Sequence, residues 1–92
     1  LRLQAGFVPT ETLSGYLALA RKDARDAVAL FDRALTHAPE YAPALVGKGL
    51  ALQAADRNTE ALEAFRRAVA ADASLTDIAR RIDVLTLRAL QE

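Results

Sequence analysis

Apolar residues recur at helical spacing in five stretches of the chain. In the first stretch Leu13, Tyr16, Leu17 and Ala20 fall on one face, at intervals of three and four residues, which is typical of an amphipathic α-helix. The same spacing predicts helices over about residues 10–22, 25–37, 42–55 and 59–71, and from residue 74 or 76 to about residue 90. The pattern therefore predicts an all-α chain.

Proline and short polar runs separate these predicted helices. Pro39 ends the second helix, because proline cannot donate the next backbone hydrogen bond and disfavours helix at the residue before it. Pro43 is tolerated in the first turn of the third helix. We expect Asn58 or Thr59 to cap the fourth helix, and Thr76 to cap the fifth.

A second periodicity, of 34 residues, runs along the chain. Residues of the first half recur at this offset: Gly15, Ala27, Phe31, Arg33 and Ala34 correspond to Gly49, Ala61, Phe65, Arg67 and Ala68. A fixed offset of about this length is typical of a solenoid, in which one helical hairpin is copied and stacked. The register also aligns Phe7, Tyr41 and Leu75 just ahead of the odd-numbered helices, where an apolar residue can fix how the chain enters the helix.

The same register assigns the N-terminal residues to an earlier unit. Leu1 aligns with Leu35 and Val69, which lie near the ends of the second and fourth predicted helices. We therefore expect residues 1–5 to be the tail of an even-numbered helix, and the chain to be the C-terminal end of a longer array.

The repeated positions resemble those of the tetratricopeptide repeat, a helix–turn–helix unit of about 34 residues. The second half of that family's pattern is present twice, as Ala27-x3-Phe31-x2-Ala34 followed by Pro39 and as Ala61-x3-Phe65-x2-Ala68. The first half is matched only by Gly15 and Gly49, since positions 11 and 45 lack the early aromatic residue and positions 18 and 52 lack the tyrosine.

The resemblance implies a right-handed α-α superhelix of helical hairpins, similar to a tetratricopeptide-repeat solenoid. It divides the chain into residues 1–7, the tail of a preceding repeat or a linker, and two repeats over residues 8–41 and 42–75. Residues 76–92 correspond to the C-terminal capping helix that such arrays often carry.

The resemblance also implies a place for binding, because the first helix of each unit lines the concave side in this family. Carried over by register, the groove residues are Thr12, Tyr16, Leu19, Val46, Leu50, Gln53, Arg80, Arg81 and Val84. One branch of the family clamps a peptide carboxylate with a Lys and an Asn one turn apart. Thr12 and Tyr16 hold those positions here, so we expect that clamp to be absent.

The predicted groove is mainly apolar, which suits an amphipathic helix or an extended apolar peptide. Tyr16 is the expected contact, since aromatic residues are enriched at binding hot spots. A plainer interpretation is that the apolar groove residues pack only against one another or against a further repeat. Arg80 and Arg81 could meet an acidic partner, or they could form a solvated face beside Asp77 and Asp83.

Composition and charge exclude several other classes of function. Hydrophobic residues make up 52% of the chain and aromatic residues only 5%, so its apolar content is mostly Ala and Leu, which favour helices. The net charge is zero, from 12 basic and 12 acidic residues, which does not favour non-specific nucleic-acid binding. Cysteine is absent, which excludes disulfides and thiolate metal sites. No apolar run is long enough to predict a membrane span.

Candidate catalytic chemistry is sparse. His37 is the only histidine, with Asp32 and Glu40 as its nearest acidic companions, and its place in the last turn of a helix is explained by the negative end of the helix dipole. Gly47-x-Gly49 lies inside a predicted helix and cannot form a dinucleotide turn, which requires a preceding strand. We therefore expect no enzyme activity, no cofactor and no metal.

The sequence thus predicts a protein–protein interaction module whose partner is a protein or peptide. Two alternatives stay open. The chain could be an architectural cap or spacer that self-associates into a homo-oligomer through exposed apolar residues such as Leu1, Leu3 and Phe7. It could also be a non-catalytic regulatory domain of a larger enzyme.

Overall fold

The computed structural model describes the backbone of residues 2–91 and the side chains of residues 8–91. This part of the chain forms five α-helices and no strand: α1 Arg2–Ala20, α2 Ala24–His37, α3 Ala42–Ala54, α4 Asn58–Ala71 and α5 Thr76–Leu90. The connections are three or four residues long, so that neighbouring helices form tight hairpins. The predicted all-α fold is confirmed.

The helices stack in chain order. Each helix packs on the next, and α1 also contacts α3. The buried side chains form one cluster around Phe31, mainly from α1, α2 and α3, and a second around Phe65 from α3, α4 and α5. The molecule measures 46 × 28 × 17 Å. Because α3 contributes to both clusters, each hairpin completes its core with the next one, as expected for a helical repeat solenoid.

Residues one repeat apart occupy equivalent surroundings. Phe31 and Phe65 are both fully buried. The ring of Phe31 lies against the backbone of α1 at Gly15, and the ring of Phe65 lies against α3 at Gly49. In both hairpins the missing glycine side chain makes room for a phenylalanine of the partner helix. The 34-residue register in the sequence is therefore a repeat in space.

The turns inside the two hairpins are also equivalent. Lys22 and Asp56 follow α1 and α3 in the left-handed region, with φ of 64° and 62°. The amide of the next residue then donates to a carbonyl in the last helical turn, Asp23 to Ala18 and Arg57 to Leu52, both at 2.9 Å. This is the Schellman arrangement, which satisfies carbonyl groups left without partners at a helix end.

Helix α1 begins earlier than predicted. The sequence predicts a helix from about residue 10 and assigns residues 1–5 to the tail of another helix, whereas α1 is continuous from Arg2 to Ala20. Pro9 lies inside it. A proline in a helix removes one backbone hydrogen bond, and α1 continues through it. The sequence predicts a break between residues 5 and 10, and the backbone has no break there.

The caps of the later helices also differ from the prediction. Arg57 and Leu75 hold the N-cap positions of α4 and α5, and neither side chain makes a capping hydrogen bond. Asn58 is instead a buried residue in the first turn of α4. Among α2, α3, α4 and α5, only α2 has a side-chain cap at its N-terminus: the amide of Asp26 donates to Oδ1 of Asp23 at 3.1 Å. At the start of α4, burial of Asn58 accompanies the loss of the predicted cap.

Candidate docking surface

The nine predicted groove residues lie on α1, α3 and α5, three on each helix. We call the side of these helices that carries them the odd-helix face. Two hydrogen bonds join its helices. The hydroxyl of Tyr16 donates to the carbonyl of Pro43 at 2.7 Å, which ties α1 to the start of α3. Nη1 of Arg81 donates to Oε1 of Gln53 at 3.1 Å, which ties α3 to α5. The three odd-numbered helices are thus neighbours along one surface.

Tyr16 contributes to the packing of this face as much as to its surface. Its ring is half-buried and meets the ring of Phe31 edge-on, with 5.0 Å between the centroids and 78° between the planes. Burial raises the pKa of the Tyr16 hydroxyl, and the charge of ionised Tyr41 raises this pKa further. A hydroxyl that already donates a hydrogen bond has less to offer a ligand than a free one, so Tyr16 is first of all a link between α1 and α3.

Thr12 is buried within the first hairpin. Its hydroxyl donates to the carbonyl of Val8, one turn earlier in α1, at 2.7 Å. Only 5% of the residue is exposed, so Thr12 provides almost no accessible surface. At this position the interpretation that predicted groove residues only pack against their neighbours fits the structure better than a binding role does.

The central residues of the odd-helix face are partly buried. Leu19 and Val46 pack against the cluster around Phe31, while Leu50 packs against the cluster around Phe65. These side chains anchor the odd-numbered helices and still present part of their apolar surface to solvent.

The α5 end of the face is the most accessible. Val84 is 52% exposed, and Arg80 and Arg81 are also exposed. Sequence reasoning missed Leu87, which is 64% exposed. Its position is one repeat after Gln53 and two repeats after Leu19, so the 34-residue register itself could have identified it.

No salt bridge among residues 8–91 includes a charged residue of this face. The salt bridges of the described residues join Arg21 to Asp26, Lys48 to Asp32 and Arg57 to Glu60. None of them includes Arg80 or Arg81, and none of the nine predicted residues is acidic. Because no carboxylate of the described residues pairs with these two guanidinium groups, the face is positively charged at its α5 end.

The remaining candidates for chemistry stay apart. His37 is exposed at the end of α2, where the sequence placed it. Over residues 8–91, where side chains are described, no three His, Asp or Glu residues come together as a metal site would require. In the same part of the chain no helix combines the length and apolar character needed to cross a bilayer.

A comparison with protein families agrees with the repeat found in the fold. The family model described as tetratricopeptide repeat matches residues 18–81, which is more than half of the chain. The match begins near the end of α1 and reaches into α5, so it includes the α2–α3 and α4–α5 contacts as well as the α3–α4 hairpin. No curated protein matches the sequence.

Proposed function

Because the chain belongs to the tetratricopeptide repeat family, whose members generally serve as interaction scaffolds, we propose that it is a non-catalytic module that docks a segment of a partner protein on its odd-helix face. The family supports the general role of protein–protein interaction. The face, the type of segment and the residues that contact it are the parts of the proposal argued below.

The observation that carries this proposal is the exposure of two large apolar side chains of α5, Val84 and Leu87, one repeat after Leu50 and Gln53. Val84 and Leu87 are more than half exposed, although both are large apolar side chains. Leu50 is fixed against the cluster around Phe65, so this surface rests on a rigid base. Apolar groups held on rigid helices lose little conformational entropy on binding, which favours their use as anchors.

The shape of this surface suits an amphipathic helix or an extended apolar peptide. A row of apolar side chains on adjacent helices accepts ligand side chains spaced by one or two turns. Arg80 and Arg81 lie on the same helix as Val84, and the Gln53 contact holds the Arg81 side chain across to α3. A carboxylate on the docked segment would therefore meet guanidinium groups at the α5 end of the face, with charge-assisted hydrogen bonds.

The test is a pull-down from extract of the source cells, with the immobilised chain as bait and mass spectrometry as readout. The double variant Val84→Glu/Leu87→Glu places acidic groups on the proposed surface at positions that are already exposed. The matched control, Ala29→Glu/Ala70→Glu, changes exposed residues of α2 and α4 instead. We expect the parent and the control to retain the same proteins, and the Val84/Leu87 variant to lose them.

A variant of the interior of the face adds a second measurement. Tyr16→Ala together with Leu50→Ala removes both an aromatic contact and an apolar base, and Tyr16→Phe removes only the hydroxyl that bonds Pro43. We expect the partner proteins to be lost with the double alanine variant and retained with Tyr16→Phe. Retention of the same partners by both glutamate variants would show that docking occurs elsewhere on the molecule.

A further inference from the structure

Two polar side chains, Gln53 and Arg81, join α3 to α5 on the odd-helix face. Nη1 of Arg81 donates to Oε1 of Gln53 at 3.1 Å, and Gln53 is the less exposed residue of the two. An arginine side chain held in this way has less conformational freedom to lose when a ligand binds. The contact therefore positions the Arg81 guanidinium group at the surface on which we propose that a partner docks.

The acceptor of this hydrogen bond leaves the charge of Arg81 uncompensated. Arg57, by contrast, bonds to the carboxylate of Glu60. The amide of Gln53 is uncharged, and it occupies one donor of a group that has several. Arg81 thus keeps its positive charge and further N–H groups for a ligand.

The carboxylates closest in sequence do not neutralise this end of the face. Asp77 lies four residues before Arg81, a spacing at which side chains meet on a helix surface, yet the two form no salt bridge among residues 8–91. Helix α5 as a whole has three arginines against two aspartates, so its net charge is positive. Helix α3 contains no acidic residue, and its one charged residue is Lys48. A segment lying across α3 and α5 therefore meets mainly positive charge.

An exposed apolar side chain lies next to the guanidinium group. Val84 follows Arg81 by three residues, and side chains at this spacing are neighbours, with about 5–6 Å between their Cβ atoms. Val84 is more than half exposed, and Leu87 lies one turn further along α5. A ligand that covers Val84 with an apolar side chain therefore brings its adjacent residues within reach of Arg81.

The positive charge lies at one end of the face only. The positions one and two repeats before Arg80 and Arg81 hold uncharged residues: Thr12, Leu13, Val46 and Gly47. A carboxylate on the ligand is thus attracted to α5 and not to the equivalent places on α1 or α3. Its position along the ligand fixes which end of the ligand lies on α5.

We infer that the segment docked on the odd-helix face is acidic: it carries Asp or Glu beside its apolar side chains, and Arg81 binds this carboxylate. The inference rests on the function proposed above and names the chemistry of the partner. Gln53 is a positioning residue, which holds Arg81 in place without neutralising it. A guanidinium–carboxylate contact is charge-assisted and bidentate in its best geometry, so it adds specificity as well as affinity.

Selection of a phage-displayed library of random short peptides on the immobilised chain tests this inference. We expect the enriched peptides to contain Asp or Glu next to Leu, Ile or Phe more often than the unselected library does. Synthetic copies of these peptides should bind the parent chain in fluorescence polarisation. Their affinity should fall as salt is added, because salt screens exposed charges.

The variant Gln53→Glu separates the charge of Arg81 from its position. The new carboxylate still accepts a hydrogen bond from Arg81, but it also neutralises the guanidinium group. We expect the synthetic peptides to bind Gln53→Glu and Arg81→Gln about three- to tenfold more weakly than the parent. If the contact served only to link α3 to α5, Gln53→Glu would keep the link and bind the peptides as the parent does.

Two controls make the same changes of charge elsewhere. Arg66→Gln removes a positive charge from α4, and Ala29→Glu adds a negative charge to α2, both at exposed positions. We expect both controls to bind the peptides as the parent does, and all four variants to keep its helical circular dichroism. Equal weakening by the controls would overturn the inference, because it would show an effect of net charge and not of Arg81.

The variant Val84→Glu/Leu87→Glu distinguishes failure of this inference from failure of docking itself. Peptides that are lost with this variant but bind Gln53→Glu and Arg81→Gln as the parent does would support docking on the face and refute the acidic partner. Peptides that bind all three variants equally well contact another surface, which would refute both. Enrichment of basic or uncharged peptides, or no enrichment, would also overturn the inference.

Discussion

The ring of Phe31 fills the space that a side chain on Gly47 would need. A Cβ atom built on Gly47 would lie closer than 3.0 Å to three atoms of this ring, a separation that real Cβ atoms essentially never show. Gly47 belongs to α3 and Phe31 to α2, so this contact joins the two hairpins of the molecule. The same ring also lies against Gly15 inside the first hairpin. Phe31 is therefore clamped between α1 and α3.

Gly47→Ala tests this contact. The added methyl group must displace a ring that is fully buried, and overpacking of this kind costs roughly 1–3 kcal/mol. The higher helix propensity of alanine returns about 1 kcal/mol. We expect a net loss of up to about 2 kcal/mol in the free energy of unfolding, measured by urea denaturation. The double variant Gly47→Ala/Phe31→Leu should lose less than the sum of its single changes, and strict additivity would contradict the clamp.

Removal of either repeated phenylalanine should be more damaging. Phe31 and Phe65 are the largest fully buried side chains, and Phe→Ala in a core typically costs about 3–5 kcal/mol. A domain of this size has only about 5–10 kcal/mol of stability in total. We expect thermal melts of Phe31→Ala and Phe65→Ala to show strongly lowered midpoints or loss of the transition. Leu13→Ala, at an exposed position of similar apolar character, should change the free energy by less than about 0.5 kcal/mol.

The left-handed residues after α1 and α3 offer sites for stabilisation. Lys22 and Asp56 hold positive φ values that cost about 1 kcal/mol for a residue with a Cβ, and glycine avoids this cost. We expect Lys22→Gly and Asp56→Gly each to raise the free energy of unfolding by up to about 1 kcal/mol, since part of the gain is offset by the greater entropy of the unfolded chain. The control Ala20→Gly, inside α1, should lower stability by about as much. Equal effects at positions 20 and 22 would argue against the left-handed turn.

The carboxylates of Glu60 and Asp72 make the free energy of unfolding depend on pH. A hydrogen bond from the Arg57 side chain lowers the pKa of Glu60 below its ordinary value of 4.5. Hydrogen bonds from the hydroxyl and then the amide of Ser74 lower the pKa of Asp72 below 3.8. A carboxyl with a lowered pKa in the folded state binds protons more readily when unfolded. The stability it contributes is present above its ordinary pKa and is lost as the pH falls through the lowered value.

We therefore expect the thermal midpoint to fall as the pH is lowered from about 5 towards about 2. Arg57→Gln and Ser74→Ala should each make this decline shallower, because each removes the donor that favours the ionised carboxylate. Arg66→Gln removes an exposed arginine from α4 and serves as the control for the loss of positive charge. A decline with the same slope in all four proteins would show that other groups govern the acid dependence.

The structure bears out those expectations that depend on local spacing. The periodicity of apolar residues and the turn residues between the helices located α2, α3, α4 and α5 to within one or two residues. The start of α1 could not be found in this way. Its apolar residues lie on more than one face, so neither a single stripe nor a turn marks where the helix begins.

The sequence predicted which helices carry the candidate site residues, but not which of these residues are exposed. Register placed the nine predicted groove residues on α1, α3 and α5, but it could not separate Thr12, whose hydroxyl donates to a carbonyl inside α1, from Val84, which faces solvent. Burial depends on which helix lies across a given position. That is set by the packing of units against one another and not by the residues of one unit.

The sequence by itself determined the repeat: an offset of 34 residues aligns Gly15 with Gly49 and Phe31 with Phe65. A close approach of two helices needs a small residue opposite a large one, and the sequence shows such a pair as two residue types that recur at a fixed spacing. Only the tertiary structure decided what each repeated position does. Position 13 is open in α1, whereas its counterpart Gly47 is covered by Phe31, because α3 has a helix stacked before it and α1 has none among the described residues.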